Sequence, residues 1–132
     1  MNNLIKPVLT LTLSLLISVC FAQTSSPAGC EILKGGKFRY LDAEDPTAYI
    51  IMNGDTQIEY SEKNDFTIES KVKWISDCAY LMKMTKITIP NFPYHPGDTM
   101  RVDINKVEGN IIYYTSTVKG VSWKGRFRKV NE

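Results

Sequence analysis

The sequence predicts an all-β fold, a small antiparallel up-and-down barrel of eight strands. Segments of alternating apolar and polar residues recur along the chain, short polar turns join most of them, and no segment keeps a helical period over three turns. Short turns make consecutive strands antiparallel neighbours, and eight such strands either close into a barrel or split into a sandwich. Closure removes unpaired strand edges, so the barrel is favoured.

The first three predicted strands are defined by their turns. Gly36–Leu41 is the first strand, and it ends at the polar segment Asp42–Pro46. Two further runs, Ala48–Met52 and Asp55–Tyr60, flank Asn53-Gly54. Asn-Gly between two such runs is the strongest short hairpin signal, because both turn positions require a positive φ.

The clearest alternation lies in the fourth predicted strand, Phe66–Trp74. Its apolar face consists of Phe66, Ile68, Val72 and Trp74. A turn at Ser76-Asp77 then returns the chain along Cys78–Thr85. The inward face predicted for this fifth strand consists of Cys78, Tyr80, Met82 and Met84; the alternative face of Ala79, Leu81 and Lys83 is less apolar.

The last three predicted strands are Thr99–Val107, Ile111–Val118 and Val121–Val130. Turns at Glu108–Asn110 and Lys119-Gly120 join them. The sixth strand has an apolar face of Met100, Val102 and Ile104. The inward face of the eighth consists of Val121, Trp123 and Phe127.

The first 22 residues have the layout of a secretory signal peptide. Lys6 is their only charged residue, Val8–Val19 is an almost unbroken apolar run, and Cys20-Phe21-Ala22 precedes a cut ahead of Gln23. We therefore expect residues 1–22 to be removed on export to the periplasm or the medium. Residues 23–132 then form one domain.

Two other interpretations of the N-terminus are an uncleaved membrane anchor and a lipoprotein signal. The apolar run is shorter than the roughly 20 residues that a spanning helix needs. Lipidation of Cys20 would require a small residue before it, and Val19 is bulky and branched. We expect neither a membrane span nor a lipid anchor.

The charge of the chain gives no support for a nucleic-acid partner. There are 16 Lys and Arg residues against 14 Asp and Glu residues, and Lys6 belongs to the signal segment. The exported part is therefore close to neutral, without the basic excess of a polyanion binder. We expect a monomer that binds no nucleic acid.

Two cysteines remain after export, Cys30 and Cys78. In an exported protein such a pair is most simply a disulfide, and the alternative is two buried free thiols. The chain has no CxxC motif, and its one histidine cannot complete a zinc site with two distant cysteines. The pair therefore predicts a bridge between the N-terminal segment and the middle of the chain.

Residues of catalytic type form no recognised constellation. His95 is the only histidine, and it lies in a Pro-rich segment with no nucleophile motif around any serine. Phosphate-loop, HExxH and EF-hand patterns are absent from the sequence. Glu59, Glu62 and Glu69 fall on positions predicted to face solvent. We expect a non-enzymatic protein without a cofactor or a bound metal.

The aromatic residues are the candidate binding side chains. The alternation places most of them on inward faces: Tyr49, Tyr60, Tyr80, Tyr113, Tyr114, Trp74 and Trp123. In a wide barrel they would line a ligand cavity, and in a narrow one they would fill the core. The short strands favour a packed core, with a modest pocket as the alternative.

One long connection, Ile87–Asp98, contains three prolines and lacks a strand pattern. Its Phe92 and Tyr94 are larger and more aromatic than a spacer needs, so it is either a lid or a flap that plugs one end of the barrel. A ligand site would lie beneath it. The predicted ligand-binding residues are Tyr60, Trp74, Tyr80, Phe92, Tyr94, Tyr113 and Trp123.

Eight meandering strands behind a signal peptide resemble the lipocalin and calycin barrels. Gly36-Lys37-Phe38 lies where that group has Gly-x-Trp, and Arg126 or Arg128 on the last strand matches its closing arginine. This resemblance implies a lipocalin-like barrel.

Cys30, Gly36–Tyr40 and Trp74–Tyr80 are also similar to a group of small exported proteins of Bacteroidota, across most of the exported chain. Some members of that group carry a topoisomerase label, which a small exported chain without a catalytic-tyrosine context does not fit. The resemblance implies a fold and a location but no chemistry.

Two function classes follow from these observations. In one, the barrel holds a small apolar ligand inside it or at its mouth. In the other, the interior is solid and the outer surface binds an envelope protein or a glycan. A cavity in the barrel would favour the first class.

Overall fold

The computed structural model is a closed barrel of eight antiparallel strands, which confirms the predicted fold class. The structure describes residues 27–63 and 65–131, so the predicted signal peptide, its cut before Gln23 and Cys20 lie outside the described residues. The strands are β1 (Gly35–Tyr40), β2 (Ala48–Asn53), β3 (Thr56–Ser61), β4 (Phe66–Ser76), β5 (Ala79–Ile87), β6 (Thr99–Glu108), β7 (Ile111–Val118) and β8 (Val121–Val130). Each strand pairs with its sequence neighbours, and β8 closes on β1.

Tight turns set the register of two hairpins. Between β7 and β8, Lys119 and Gly120 both have positive φ, as a type I′ turn requires. The hairpin between β2 and β3 forms where Asn53-Gly54 predicts it, but the turn lies one residue later than expected. Asn53 is the last residue of β2 and pairs with Thr56, and Gly54 supplies the positive φ.

One end of the barrel, which we call the plugged end, is covered by a 3-10 helix, Cys30–Lys34. Leu33 of this helix is fully buried in the core. The helix is held by the Cys30–Cys78 disulfide, whose Cα atoms are 5.3 Å apart. The predicted pairing of the two cysteines is therefore confirmed.

A lysine closes the plugged end of the barrel from the last strand. The Lys129 Nζ lies 5.5 Å from the centroid of the Phe38 ring and donates a 3.1 Å hydrogen bond to the carbonyl of Ile32. Arg126 and Arg128, which the resemblance placed in this role, alternate to the outside of β8, where Arg126 bonds Asp42 at 2.7 Å.

The opposite end, which we call the open end, lies beneath the connection between β5 and β6. This 88–98 loop is tied to the barrel by backbone hydrogen bonds of Met84 to Gly97 (2.7 Å) and Asp98 (3.0 Å). Asp98 also forms a 3.2 Å ion pair with Lys119 in the turn between β7 and β8. The loop therefore has a fixed position over the open end.

Candidate functional site

The open half of the barrel contains a cavity of about 570 Å³. Most of its wall is apolar or aromatic: Ala43, Ala48, Phe66, Tyr80, Met82, Ile89, Phe92, Tyr94, Met100, Val102, Tyr114, Trp123 and Phe127. The remaining lining residues are polar: Tyr40, Asp45, Gln57, Glu59, Ser61 and Ser116. An apolar cavity with a few polar groups is the usual composition of a small-molecule site.

The 88–98 loop supplies one side of this cavity through Ile89, Phe92 and Tyr94. The rings of Phe92 and Tyr94 meet edge to face with their centroids 5.5 Å apart. Because the loop is anchored at Met84 and Asp98, these rings are held over the opening. The loop thus covers the cavity with apolar surface.

Tyr40 and Glu59 form the main polar contact inside the cavity. The Tyr40 hydroxyl on β1 donates a 2.7 Å hydrogen bond to the Glu59 Oε2 on β3. Burial raises the pKa of Glu59, and the hydrogen bond from Tyr40 opposes that rise. Burial and the nearby Glu59 hold the pKa of Tyr40 well above its ordinary value. The tyrosine therefore stays protonated and keeps donating to the carboxylate.

A second polar pair joins Gln57 on β3 to Tyr80 on β5. The Tyr80 hydroxyl donates to the Gln57 Oε1 at 3.1 Å, and both side chains are buried. Burial, with a smaller effect of Tyr114, raises the pKa of Tyr80 far above its ordinary value. The pair presents neutral hydrogen-bonding groups to the cavity.

Asp45, in the segment after β1, lies at the mouth of the cavity. It accepts hydrogen bonds from the Ser61 hydroxyl and from both the backbone N–H (2.8 Å) and the hydroxyl (2.6 Å) of Thr47. These bonds lower the pKa of Asp45. Asp45 therefore keeps its negative charge at the mouth.

Tyr114 on β7 forms part of the cavity wall because its cross-strand neighbour on β8 is a glycine. Its ring stacks on Phe127 with centroids 4.1 Å apart. A Cβ added to Gly125 would lie 2.4 Å from the Tyr114 hydroxyl oxygen. Only glycine therefore leaves room for the ring at this position.

Four of the seven predicted ligand-binding residues line the cavity: Tyr80, Phe92, Tyr94 and Trp123. Tyr60 lies on the outside of β3, where its ring stacks on Tyr49 at 5.0 Å. Tyr113 also faces outward and donates a 3.2 Å hydrogen bond to Glu108. Trp74 belongs to the plugged end, since the Lys34 Nζ lies 5.1 Å from its ring centroid.

The predicted orientation of β3 is wrong. Glu59 was expected to face solvent and Tyr60 to face inward, but Gln57, Glu59 and Ser61 line the cavity. Period-two alternation then places Tyr60 outside. The apolar pattern misleads here because β2 and β3 form a second apolar row on the outer surface, where Ile51 pairs with Ile58 and Tyr49 with Tyr60.

Sequence reasoning therefore missed Tyr40, Gln57 and Glu59 as site residues. A sequence signal for them does exist. Gln57 and Glu59 alternate along one predicted strand and Ser61 directly follows it, and a polar row of this kind either faces water or lines a polar patch inside the fold. The sequence does not distinguish the two cases, because the preceding strand, Ala48–Met52, supplies apolar residues to both faces.

His95, the histidine of the 88–98 loop, does not line the cavity. Its backbone N–H donates to the Asp98 carboxylate at 2.8 Å, which stabilises the loop. Within residues 27–63 and 65–131, no three His, Cys, Asp or Glu side chains come together as a metal site. The same part of the chain has no helix long and apolar enough to cross a membrane.

The function of the cavity has to follow from the chemistry of its own residues. No family model, no curated protein and no solved structure matches this chain.

Proposed function

We propose that this protein is a non-enzymatic binding module that holds a small, largely apolar molecule in the open half of its barrel. The observation that carries the proposal is the cavity of about 570 Å³ beneath the 88–98 loop. Ligand sites in proteins typically measure about 300–1,000 Å³ and combine apolar walls with a few fixed polar groups. The Tyr40–Glu59 and Tyr80–Gln57 pairs supply such groups.

The difference between the two halves of the barrel supports this proposal over a solid-core module. At the plugged end, Leu33, Phe38 and Ile50 are fully buried in a packed core. The open half keeps its space although aromatic residues surround it. Tyr114, Phe127 and Trp123 in its wall offer an apolar molecule large aromatic surfaces to pack against.

An outer-surface role in binding an envelope protein or a glycan has weaker support. The outer apolar row of β2 and β3 is half-buried, and the Lys37 Nζ lies over its Tyr49 ring at 4.3 Å. The large apolar side chains that are more fully exposed in the described part of the chain are Ile75, Val121 and Trp123. Ile75 belongs to the plugged end, whereas Val121 and Trp123 begin β8 at the open end. They do not form one continuous patch of the kind that marks a docking surface.

The proposal includes export and a monomeric state. The Cys30–Cys78 disulfide supports an oxidising compartment outside the cytoplasm, in agreement with the signal sequence expected over residues 1–22. A closed barrel has no unpaired edge strand to recruit a second chain. A monomer acting alone outside the cytoplasm is therefore the simplest form of the proposed module.

Titration with N-phenyl-1-naphthylamine, a neutral apolar dye that becomes fluorescent in apolar surroundings, tests the proposal. We expect saturable binding at one site per chain. Phe92→Ala and Tyr94→Ala should each weaken it, because each removes part of the apolar cover. Ile75→Ala, which trims exposed apolar surface at the plugged end, is the matched control and should leave it unchanged. Non-saturable binding, or equal loss in all three variants, would refute the proposal.

A further inference from the structure

We infer that the ligand of this cavity is an organic ammonium ion, with its charged group against Glu59 and its apolar part between the aromatic walls. This inference rests on the proposed function, because it names the chemical class that the same cavity takes. It depends on the partners of Glu59, on the charges of the cavity lining and on the aromatic rings around them.

Glu59 places a carboxyl group inside the barrel that is paired with no cation of the described residues. Its Oε2 accepts a hydrogen bond from Tyr40, and a tyrosine hydroxyl is neutral. Neither Lys nor Arg lies within ion-pair distance of it in this part of the chain. Glu59 is half-buried, and a carboxylate that is partly withdrawn from water is stabilised by pairing with a cation. The missing positive charge is the one that an ammonium ligand would bring.

The lining of the cavity is acidic although the protein is not. Asp45 and Glu59 line it, and among the described residues no Lys, Arg or His does. The whole chain contains 16 Lys and Arg residues and 14 Asp and Glu residues, so the bias is local. The Glu59 carboxylate attracts a cation and repels the head group of a fatty acid, whereas the charge of Asp45 is already opposed by the nearby Lys63.

A cluster of aromatic rings adjoins the Tyr40–Glu59 pair. Tyr40 packs on Phe127 with centroids 5.1 Å apart, and Tyr114 stacks on the same ring at 4.1 Å. The faces of such rings attract organic cations, and their bodies bury the attached hydrocarbon. A carboxylate among aromatic rings suits a compact ammonium head on an apolar tail better than it suits a strongly hydrated metal ion.

The titration of the site gives the inference a pH dependence. The titratable residues that line the cavity are Tyr40, Asp45, Glu59, Tyr80, Tyr94 and Tyr114. Asp45 keeps a lowered pKa, whereas burial raises that of Glu59. As the pH falls from neutrality, Glu59 is therefore the first of the two carboxylates to be protonated. The affinity for an ammonium ion should fall with that protonation while a neutral ligand is unaffected.

Competition among three molecules of equal chain length tests the inference on the unmodified protein. Octylamine, octan-1-ol and octanoate are each used to displace N-phenyl-1-naphthylamine at neutral pH. We expect the amine to compete about tenfold or more better than the alcohol, and octanoate to compete worst. Equal competition by amine and alcohol, or stronger competition by octanoate, would overturn the inference while leaving the proposed function intact. If the dye shows no saturable binding and none of the three molecules binds when titrated directly by calorimetry, the proposed function and the inference are both overturned.

Two variants test whether the preference for the amine over the alcohol depends on Glu59. Glu59→Gln keeps the shape of the side chain and an oxygen for Tyr40 but removes the charge, so the amine should lose its advantage over the alcohol. Glu62→Gln removes the same charge from an exposed position just after β3 and should preserve the advantage. An advantage that survives Glu59→Gln would also overturn the inference. The variant competition can be measured as long as the Glu59→Gln protein still binds the dye. If that variant does not fold, the competition on the wild-type protein still tests the inference.

Discussion

The Tyr40 hydroxyl on β1 donates a 2.7 Å hydrogen bond to the Glu59 carboxylate on β3, across the intervening strand β2 and inside the barrel. This bond ties two non-adjacent strands together at the cavity. It also fixes the direction of a carboxylate whose pKa is raised by burial. The pair is therefore both a structural link and the most polar feature of the site.

Tyr40→Phe removes the one hydrogen bond that lowers the pKa of Glu59. We expect that pKa to rise further and the free energy of unfolding at neutral pH to fall by about 1 kcal/mol, because a half-buried carboxylate loses its donor. Carboxyl NMR titration and urea denaturation measure the two effects. Tyr49→Phe, on the outer face, is the control and should change neither. A Glu59 pKa that stays the same or falls in Tyr40→Phe would contradict this account of the pair.

Glu59→Gln should raise the melting temperature at neutral pH. A carboxyl group whose pKa is higher in the folded state than in the unfolded state stabilises the protein below its unfolded pKa. That stabilisation is lost as the pH rises through the folded pKa. Glutamine removes the cost of the buried charge and still accepts from Tyr40. Thermal melts across this pH range should show the variant gaining on the wild type as the pH rises, and a uniform loss would contradict the expectation.

Gly125→Ala should destabilise the protein by about 1–3 kcal/mol and weaken dye binding, because the new Cβ would overlap the Tyr114 ring. Gly35→Ala is the matched control, since its added Cβ meets nothing closer than 4.0 Å and its backbone is extended. In a Tyr114→Leu background, Gly125→Ala should lower the free energy of unfolding by less than it does in the wild type. Denaturation midpoints of the single and double variants give this coupling, and a cost that is the same in both backgrounds would rule out the overlap.

Cys30→Ser should lower the free energy of unfolding by about 2–4 kcal/mol, since the disulfide closes a long loop across a separation of 48 residues. It should also loosen the 3-10 helix at the plugged end, where Leu33 is buried. Denaturation of the oxidised wild type, the reduced wild type and the variant measures this. A reduced wild type as stable as the oxidised protein would contradict the expected role of the bridge.

Much of the fold follows from local patterns. The two-residue period in Phe66–Trp74 and the buried face of Tyr80, Met82 and Met84 are correctly predicted, because those strands have one clearly apolar face. The Cys30–Cys78 bridge follows from cysteine arithmetic in an exported chain. Hydrophobic alternation alone determines which face of these strands is buried, and an even cysteine count in an exported chain alone indicates the bridge.

The site is harder to predict because its polar residues break the rule that locates the core. Glu59 lies inside and Tyr60 outside, so the hydrophobic alternation of β3 points to the wrong face. Functional sites are where local patterns and burial disagree. The closing lysine was missed for a related reason, since the position of Lys129 over Phe38 depends on the register of β8 on β1.

The most direct test of the ligand-binding barrel is an NMR titration that follows its two tryptophan indole N–H signals. Trp123 lines the cavity and Trp74 packs at the plugged end, and the chain has no other tryptophan. Trp74→Phe and Trp123→Phe assign the two signals. As N-phenyl-1-naphthylamine is added, the Trp123 signal should shift to saturation with the affinity seen by fluorescence. The Trp74 signal should shift much less, because the Trp74 ring meets the cavity only through Tyr80, 4.8 Å away. A Trp123 signal that does not move, or equal and non-saturating shifts of both, would contradict a binding site in the open half of the barrel.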